Sequence, residues 1–224
     1  MEDLYQYEEE LINKGIKLIA GVDEVGRGPL VGNVVAACVV LPLNYKLEGL
    51  TDSKKLSEKK REKFYEIIMH DALAIGIGEV NEKEIDKLNI YQATKKAMTI
   101  AITEARKQIN IEHVLIDAMP LELDIPTTSI IKGDAKSLSI AAASVIAKVT
   151  RDHEMYELDK IYPMYDFKNN KGYGTKKHIA AILEYGIIEE HRKTYEPVAS
   201  HKNKINKNRI TNDWFCFKIL YKPQ

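Results

Sequence analysis

Four acidic side chains in this sequence stand directly after apolar, strand-like runs. Asp23 and Glu24 follow LIAGV, Asp117 follows HVLI, and Asp134 follows SIIKG. In open α/β sheets, ligands gather in the crevice beyond the carboxyl ends of strands. Strands lying side by side would therefore bring these acids to one edge. Carboxylates held together repel one another and take up protons more readily unless a cation neutralises them. Mg²⁺ prefers hard oxygen ligands and keeps several waters, so three or four carboxylates with open coordination positions suit it. Two such ions about 4 Å apart can activate a water and stabilise the leaving oxygen of a phosphodiester. A plainer explanation is that these acids form turns or cap helices, where Asp is favoured. Asp134 could cap the helix that follows it. On pattern alone both explanations stay open, and the adjacent Asp23–Glu24 pair fits the plainer one least.

The elements that must position these acids can be read from the same periodicities. Lys17–Val22 and Val34–Leu41 read as strands joined by a loop containing Gly26, Gly28, Pro29 and Gly32, which predicts antiparallel neighbours. Ser57 caps a helix to about His70, and the alternation of Leu73, Ile75 and Ile77 marks a strand over Ala72–Val80. Asn81 with Glu84 resembles a capping box opening one long helix to about Gln108. Strands follow at His113–Ile116 and Thr128–Lys132, then a helix rich in small residues from Ser137 to about Ile161. Lys176–Tyr185 is a short helix ended by Gly186. This order predicts an α/β layer with a mixed sheet.

Length and composition set broad bounds. A chain of 224 residues with 45% apolar residues can build one large core without staples. Formal net charge is zero, so the chain as a whole lacks the basic balance of a protein that coats DNA. An enzyme that gathers carboxylates around metal offsets its own basic surface, so the local distribution carries more information. Cys38 lies inside an apolar run and reads as a buried thiol, with Cys216 far away in sequence. The acidic, tyrosine-rich start Met1–Glu10 does not resemble a secretory signal, and no window approaches the ~20 apolar residues of a membrane span. A cytoplasmic, monomeric protein is the default expectation.

The residues reached so far carry a specific likeness. Gly21–Gly32, GVDEVGRGPLVG, resembles the first signature of the type 2 ribonucleases H, the ribonuclease HII family. The likeness continues, in the family's order, through Asp52–Ser57, Leu115–Asp117, Lys132–Asp134 and Ala141–Asp152. It closes with Lys171–Thr175, His178, His191–Arg192 and Pro197, and so spans about residues 17 to 200.

The resemblance implies a ribonuclease H-like mixed sheet flanked by helices, with a small C-terminal helical extension. Residues 1–200 would form the catalytic domain, with about 17–165 its core and 166–200 the helical part, and 201–224 a basic, aromatic tail. It further implies an endonuclease that cuts RNA paired with DNA, and cuts 5′ of ribonucleotides embedded in duplex DNA, leaving 3′-hydroxyl and 5′-phosphate ends. Asp23, Glu24, Asp117 and Asp134 fall on the family's metal-binding carboxylates, which would hold Mn²⁺ or Mg²⁺, two ions when substrate is bound. Gly26, Arg27 and Gly28 fall on the loop that recognises the 2′-hydroxyl, the group that separates RNA from DNA. Tyr173 falls on a tyrosine near the sugar, and Ser53 and Lys54 on a stretch associated with phosphate contact. Glycines let backbone approach a sugar where side chains would obstruct. Arg27 has the fork for a phosphate, although an arginine after a turn is commonly just solvated.

Asp152 competes for the fourth ligand position, but its place mid-helix beside Arg151 predicts a surface ion pair. His178 and His191 are expected to pack or bond locally, since the proposed chemistry needs no histidine. Two departures from the family pattern stand out: Ala118 follows Asp117 where glycine is more frequent, and Asn170 replaces a frequent histidine. A type 3 ribonuclease H shares the fold and metal chemistry. The arginine between two glycines, and the short segment ahead of the first strand, favour type 2. A nucleotide-binding module built on Gly26, Gly28 and Gly32 fails on spacing and on the strand that follows. A hybrid-binding protein without activity is disfavoured because all four carboxylates are present.

Overall fold

A computed structural model of the chain describes residues 4–204. Cys216 and the aromatic cluster Trp214, Phe215, Phe217 and Tyr221, with nearly all of the expected tail, lie outside the described residues. In chain order the elements are α1 (Gln6–Ile12), β1 (Ile19–Val25), β2 (Val34–Val40), α2 (Glu58–Asp71), β3 (Ala74–Val80), α3 (Glu82–Leu88) and α4 (Ile90–Arg106). They continue with β4 (His113–Asp117), β5 (Thr127–Ile130), α5 (Leu138–Ile161), α6 (Phe167–Asn170), α7 (Lys176–Tyr185) and α8 (Val198–His201). The strands form one mixed sheet in the order β3-β2-β1-β4-β5. β1, β2 and β3 are antiparallel neighbours, whereas β4 runs parallel to β1 and β5 parallel to β4. The predicted α/β layer and the antiparallel β1–β2 pair are thus both present.

Helices cover both faces. α4 packs on one face against Val34, Ala36, Cys38 and Val40, with Ala97, Met98, Ala101 and Ile102 buried between them. α5 covers the other face through Ala141, Ala142, Val145 and Ile146, against Ala37 and Val39. β2, buried at every residue, reads as a continuous apolar run for that reason. The small residues that open α5 allow direct backbone contact. A Cβ added to Gly21 of β1 would fall 2.1 Å from the carbonyl carbon of Ser139. In β3 the predicted alternation is real, but its more buried face is Gly76 and Gly78, pressed on the backbone of α4. Ile75 and Ile77 pack toward α5 instead.

Three expectations need correction, and one element was not anticipated. The single helix from Asn81 is two helices, because Asn89 takes φ 71° and its side chain accepts the Gln92 N–H at 3.1 Å, capping a second start. Asn tolerates positive φ better than most residues, and here its capping tendency outweighs continuation. The acidic N-terminal segment forms α1, whose Glu8 is buried. Glu8 Oε1 accepts from Ser137 Oγ at 2.7 Å and from Ser139 N at 3.0 Å, a carboxylate placed on the positive end of α5. Asp152 pairs with Lys148, and with Arg61 at 3.9 Å, but inside the fold and not on its surface. Finally β1 runs through Asp23 and Glu24 to Val25, so these acids sit within a strand. Among the described residues, no helix is long and apolar enough to cross a membrane.

Candidate active site at the strand ends

Sheet register brings the acids together. The parallel ladder between β1 and β4 ends at Val22 opposite Ile116, so Asp23 and Asp117 are the next residues on each strand. Beyond that point β1 stays paired only with β2, leaving its β4 side open. Carboxylate oxygens of Asp23, Glu24 and Asp117 accordingly lie within 4.8 Å of one another. Asp23 accepts the Glu24 N–H at 2.7 Å, and Asp117 accepts the Gly133 N–H at 2.6 Å, which ties β4 to the turn after β5.

Asp134 stands outside this tight group but belongs to the same field. It occupies the 3₁₀ turn Gly133–Ala135, and the following helix is capped by Ser137, which removes capping as its role. Its carboxyl is hydrogen-bonded to Asp52, a member of the cluster that sequence reading did not single out as an acid. Asp52 had been visible only as part of the Asp52–Ser57 motif; it caps the turn Ser53–Lys55 by accepting the Lys54 N–H at 2.9 Å.

The electrostatics are those of a site short of positive charge. Burial, then the charges of Glu24 and Asp117, hold the Asp23 carboxyl well above the ordinary carboxylate range. Burial also raises Glu24, against the opposing pull of Arg27, and burial raises Asp117 against its backbone hydrogen bonds. Asp134 is raised by burial and by Asp52 and Asp117. Lys54 answers this field: burial works against its charge, but Asp23, Asp52, Asp134 and Asp117 together raise its pKa. Glu24 Oε2 is buried without any hydrogen-bond partner. An orphaned buried carboxylate oxygen within an all-oxygen donor set fits a hard divalent cation.

The remaining expected residues flank this cluster. Arg27 Nη1 lies 3.4 Å from Glu24 Oε1, with its side chain half exposed. Gly26 takes φ 91°, and a Cβ there would meet Arg151 Nε at 2.5 Å and the Asn33 carbonyl at 2.8 Å. Gly28 faces Tyr173, since a Cβ on it would touch Tyr173 Cε1 at 3.4 Å. The structure thus puts the Gly26–Gly28 turn and the exposed Tyr173 ring side by side. Ser53 is buried inside its turn, whereas Lys54 is exposed beside the carboxylates.

Two buried arginines hold this turn, and sequence reading gave neither a role. Arg192 donates to the carbonyls of Gly26 (2.6 Å), Arg27 (3.0 Å), Gly32 and Asn33. Arg151 donates to those of Val31 (3.0 Å), Asn33 (3.1 Å) and Lys171 (2.9 Å). Burial pushes Arg192 down to about 10, and it stays charged at neutral pH. Nothing local marks an arginine whose partners are backbone carbonyls distant in sequence. The departures also find an explanation. Ala118 sits at φ 46°, where glycine is at ease. Asn170 closes its turn through Nδ2 to the Tyr165 carbonyl at 2.7 Å and Oδ1 from Gly172 N at 2.8 Å.

Comparison with known proteins agrees with this arrangement. The family model for ribonuclease HII matches residues 20–198. Ribonuclease HII of Bacillus cytotoxicus is 57% identical over 204 residues, covering 91% of this chain and 78% of that protein. Ribonuclease HII of Bacillus subtilis is 56% identical over 200 residues, covering 89% and 78%. The ribonuclease H2 structure from Pyrococcus horikoshii superposes with a TM-score of 0.69 at 25% identity, over 83% of this chain and 97% of that one. A ribonuclease HIII structure, Bst-RNase HIII in complex with Mn²⁺, shares the fold at a TM-score of 0.63 and 17% identity, over 84% and 70%. Motifs in register, a mixed sheet of the same type and a match over most of the length lead to one conclusion: the chain belongs to the ribonuclease HII family and is a ribonuclease H, an endonuclease that degrades RNA paired with DNA.

Proposed function

We propose that this ribonuclease H also incises duplex DNA on the 5′ side of single embedded ribonucleotides, leaving 3′-hydroxyl and 5′-phosphate ends. Asp23, Glu24, Asp117 and Asp134 would hold Mg²⁺ or Mn²⁺, two ions with substrate bound. The observation that carries this proposal is the open carboxylate set lying next to the Gly26–Gly28 turn, joined to it by the Arg27–Glu24 contact of 3.4 Å. When bound, the metal supplies a hydroxide nucleophile near neutral pH and offsets charge on the phosphate.

The chain's own residues supply position and selection. Asp117 is oriented by the Gly133 N–H and Asp23 by the Glu24 N–H, each keeping its second oxygen free of that bond. Gly28 exposes backbone beside Tyr173, where a 2′-hydroxyl can exchange hydrogen bonds, while Gly26 is buried behind it with its carbonyl held by Arg192. A ribose therefore completes contacts that a deoxyribose leaves unmet. Arg27, half exposed, is placed to turn from Glu24 to a phosphate once cations take over that carboxylate. Lys54 lies where it can do the same.

The test is cleavage of end-labelled DNA duplexes carrying one ribonucleotide, in Mg²⁺, Mn²⁺ or chelator, beside an all-DNA control. Metal-dependent cutting 5′ of the ribonucleotide alone is the expected result. Cutting of continuous hybrids with no cutting at a single ribonucleotide would remove the proposed selection.

A further inference from the structure

His178 and His191 are fully buried, with their Nε2 atoms 3.1 Å apart, and a carboxylate metal site leaves them without a chemical role. Their partners fix every proton. The Ile188 N–H donates to His191 Nδ1 at 2.9 Å, so that nitrogen is bare. His178 Nδ1 lies 2.9 Å from the Tyr173 carbonyl, which only accepts, so that nitrogen carries hydrogen. A neutral imidazole has one N–H, hence His191 Nε2 carries the remaining proton and donates it to a bare His178 Nε2. The result is a directional chain from Ile188 N–H through both rings to the backbone of Tyr173. An extra proton on either ring would set two N–H groups face to face. Burial holds both rings below the usual histidine range, His191 at about 3.

The surroundings leave the rings little freedom. Tyr165 and Phe167 stack on each other at 5.3 Å and meet both imidazoles edgewise, at 5.2 to 6.3 Å between centroids. The segment carrying His191 is itself paired with the glycine loop: Gly32 N donates to the Glu190 carbonyl, and Arg192 N to the Leu30 carbonyl. One dipeptide thus reaches both sides of the proposed sugar-binding surface. Arg192 holds the Gly26–Arg27 backbone, while His191, through His178, holds the backbone of Tyr173.

We propose that His178 and His191 are positioning residues for Tyr173, a neutral two-ring link that keeps its ring against Gly28 and so sharpens the choice of ribose over deoxyribose. The inference rests on Tyr173 bordering the sugar, and the test separates the two. The readout is Ki of an all-DNA duplex, as competitor, divided by KM of the same duplex carrying one ribonucleotide. His178→Leu should lower that ratio about tenfold (~1.4 kcal/mol). His178→Asn, which keeps an N–H toward the Tyr173 carbonyl, should restore most of it. In a Tyr173→Ala background, His178→Leu should change nothing further.

A folded His178→Leu enzyme with an unchanged ratio, while Tyr173→Ala collapses it, overturns the inference and leaves the sugar assignment standing. An unchanged ratio in Tyr173→Ala overturns the sugar assignment itself. If His178→Leu does not fold, ¹⁵N correlation spectra of the unmodified enzyme decide the matter. Hydrogen on Nδ1 of His178 and Nε2 of His191 at pH 6 supports the link, and any other tautomer pair, or a cationic ring, refutes it.

Discussion

Gly28 and Tyr173 face each other across the site: a Cβ on the glycine would reach Tyr173 Cε1 at 3.4 Å. Distant in sequence, they are joined by the backbone bond from Leu30 N to the Gly172 carbonyl, 2.8 Å long. In the proposed function the sugar lies beside this turn and ring, so small changes on either side should read out in substrate choice.

The two glycines of the turn should therefore behave differently. Gly26→Ala forces a Cβ into Arg151 and the Asn33 carbonyl at positive φ, and should lower stability by about 2–3 kcal/mol. Gly28→Ala meets only ordinary van der Waals contact and should fold normally while raising KM for a single-ribonucleotide duplex. Thermal melts and steady-state kinetics on the same preparations separate the effects. Equal melting losses in both variants would contradict this division.

Asp117→Asn should remove turnover by at least about 10³-fold, because losing one anionic ligand forfeits several kcal/mol of transition-state stabilisation. The amide oxygen can still accept the Gly133 N–H, so circular dichroism and the melting temperature should stay near those of the parent. Near-normal activity would show that the ligands were wrongly assigned.

In chelator, Asp23→Asn should make the protein more stable. The Asp23 carboxyl is raised in the fold by burial and by Glu24 and Asp117, so the folded state binds its proton more tightly than the unfolded chain. Stability then falls as pH rises from the unfolded value of ~3.9 up to the folded one, and the deficit persists above it. The variant should gain about 1 kcal/mol or more at pH 7, about 2–4 °C in melting temperature, with the gain vanishing near pH 3. Mg²⁺ should narrow the gap by stabilising the parent. A less stable variant at pH 7 in chelator would mean that the carboxylates are not strained by one another.

Arg192→Lys should be far from conservative. A single ammonium cannot serve the carbonyls of Gly26, Arg27, Gly32 and Asn33 together, and each buried carbonyl left unmet costs about 1–3 kcal/mol. A loss of about 3 kcal/mol, or about 6–12 °C, is expected by calorimetry, with weaker binding of ribonucleotide-containing duplex. Unchanged melting would mean that water replaces the fork.

What was legible in the sequence follows from how locally each feature is determined. β2 and α5 could be read because burial on every side shows as unbroken apolar or small-residue runs. Asp23, Glu24 and Asp117 could be placed together because the ends of apolar runs are local signals, and parallel register does the rest, although β1 itself continues to Val25. The break at Asn89 was hidden because a helix restart differs from continuation only in one residue's φ. The burial of Asp152 and Arg151, and the proximity of Asp52 to Asp134, depend on partners far along the chain, which no window reveals. The family likeness pointed to the right segments, including Arg192, without saying that its partners are carbonyls.

Gly21 brings the strand that carries Asp23 and Glu24 into backbone contact with the start of α5. Apart from Gly76 and Gly78, which press on α4 in the same way, the sheet and its helices are separated by side chains whose sizes can drift during evolution, moving the layers by fractions of an ångström. At this joint there is no side chain to exchange and no gap to compress. The carboxylate-bearing edge is thereby referenced at this joint to peptide atoms, so its geometry should persist through turnover of core composition, and under hydrostatic pressure, longer than the packing around it.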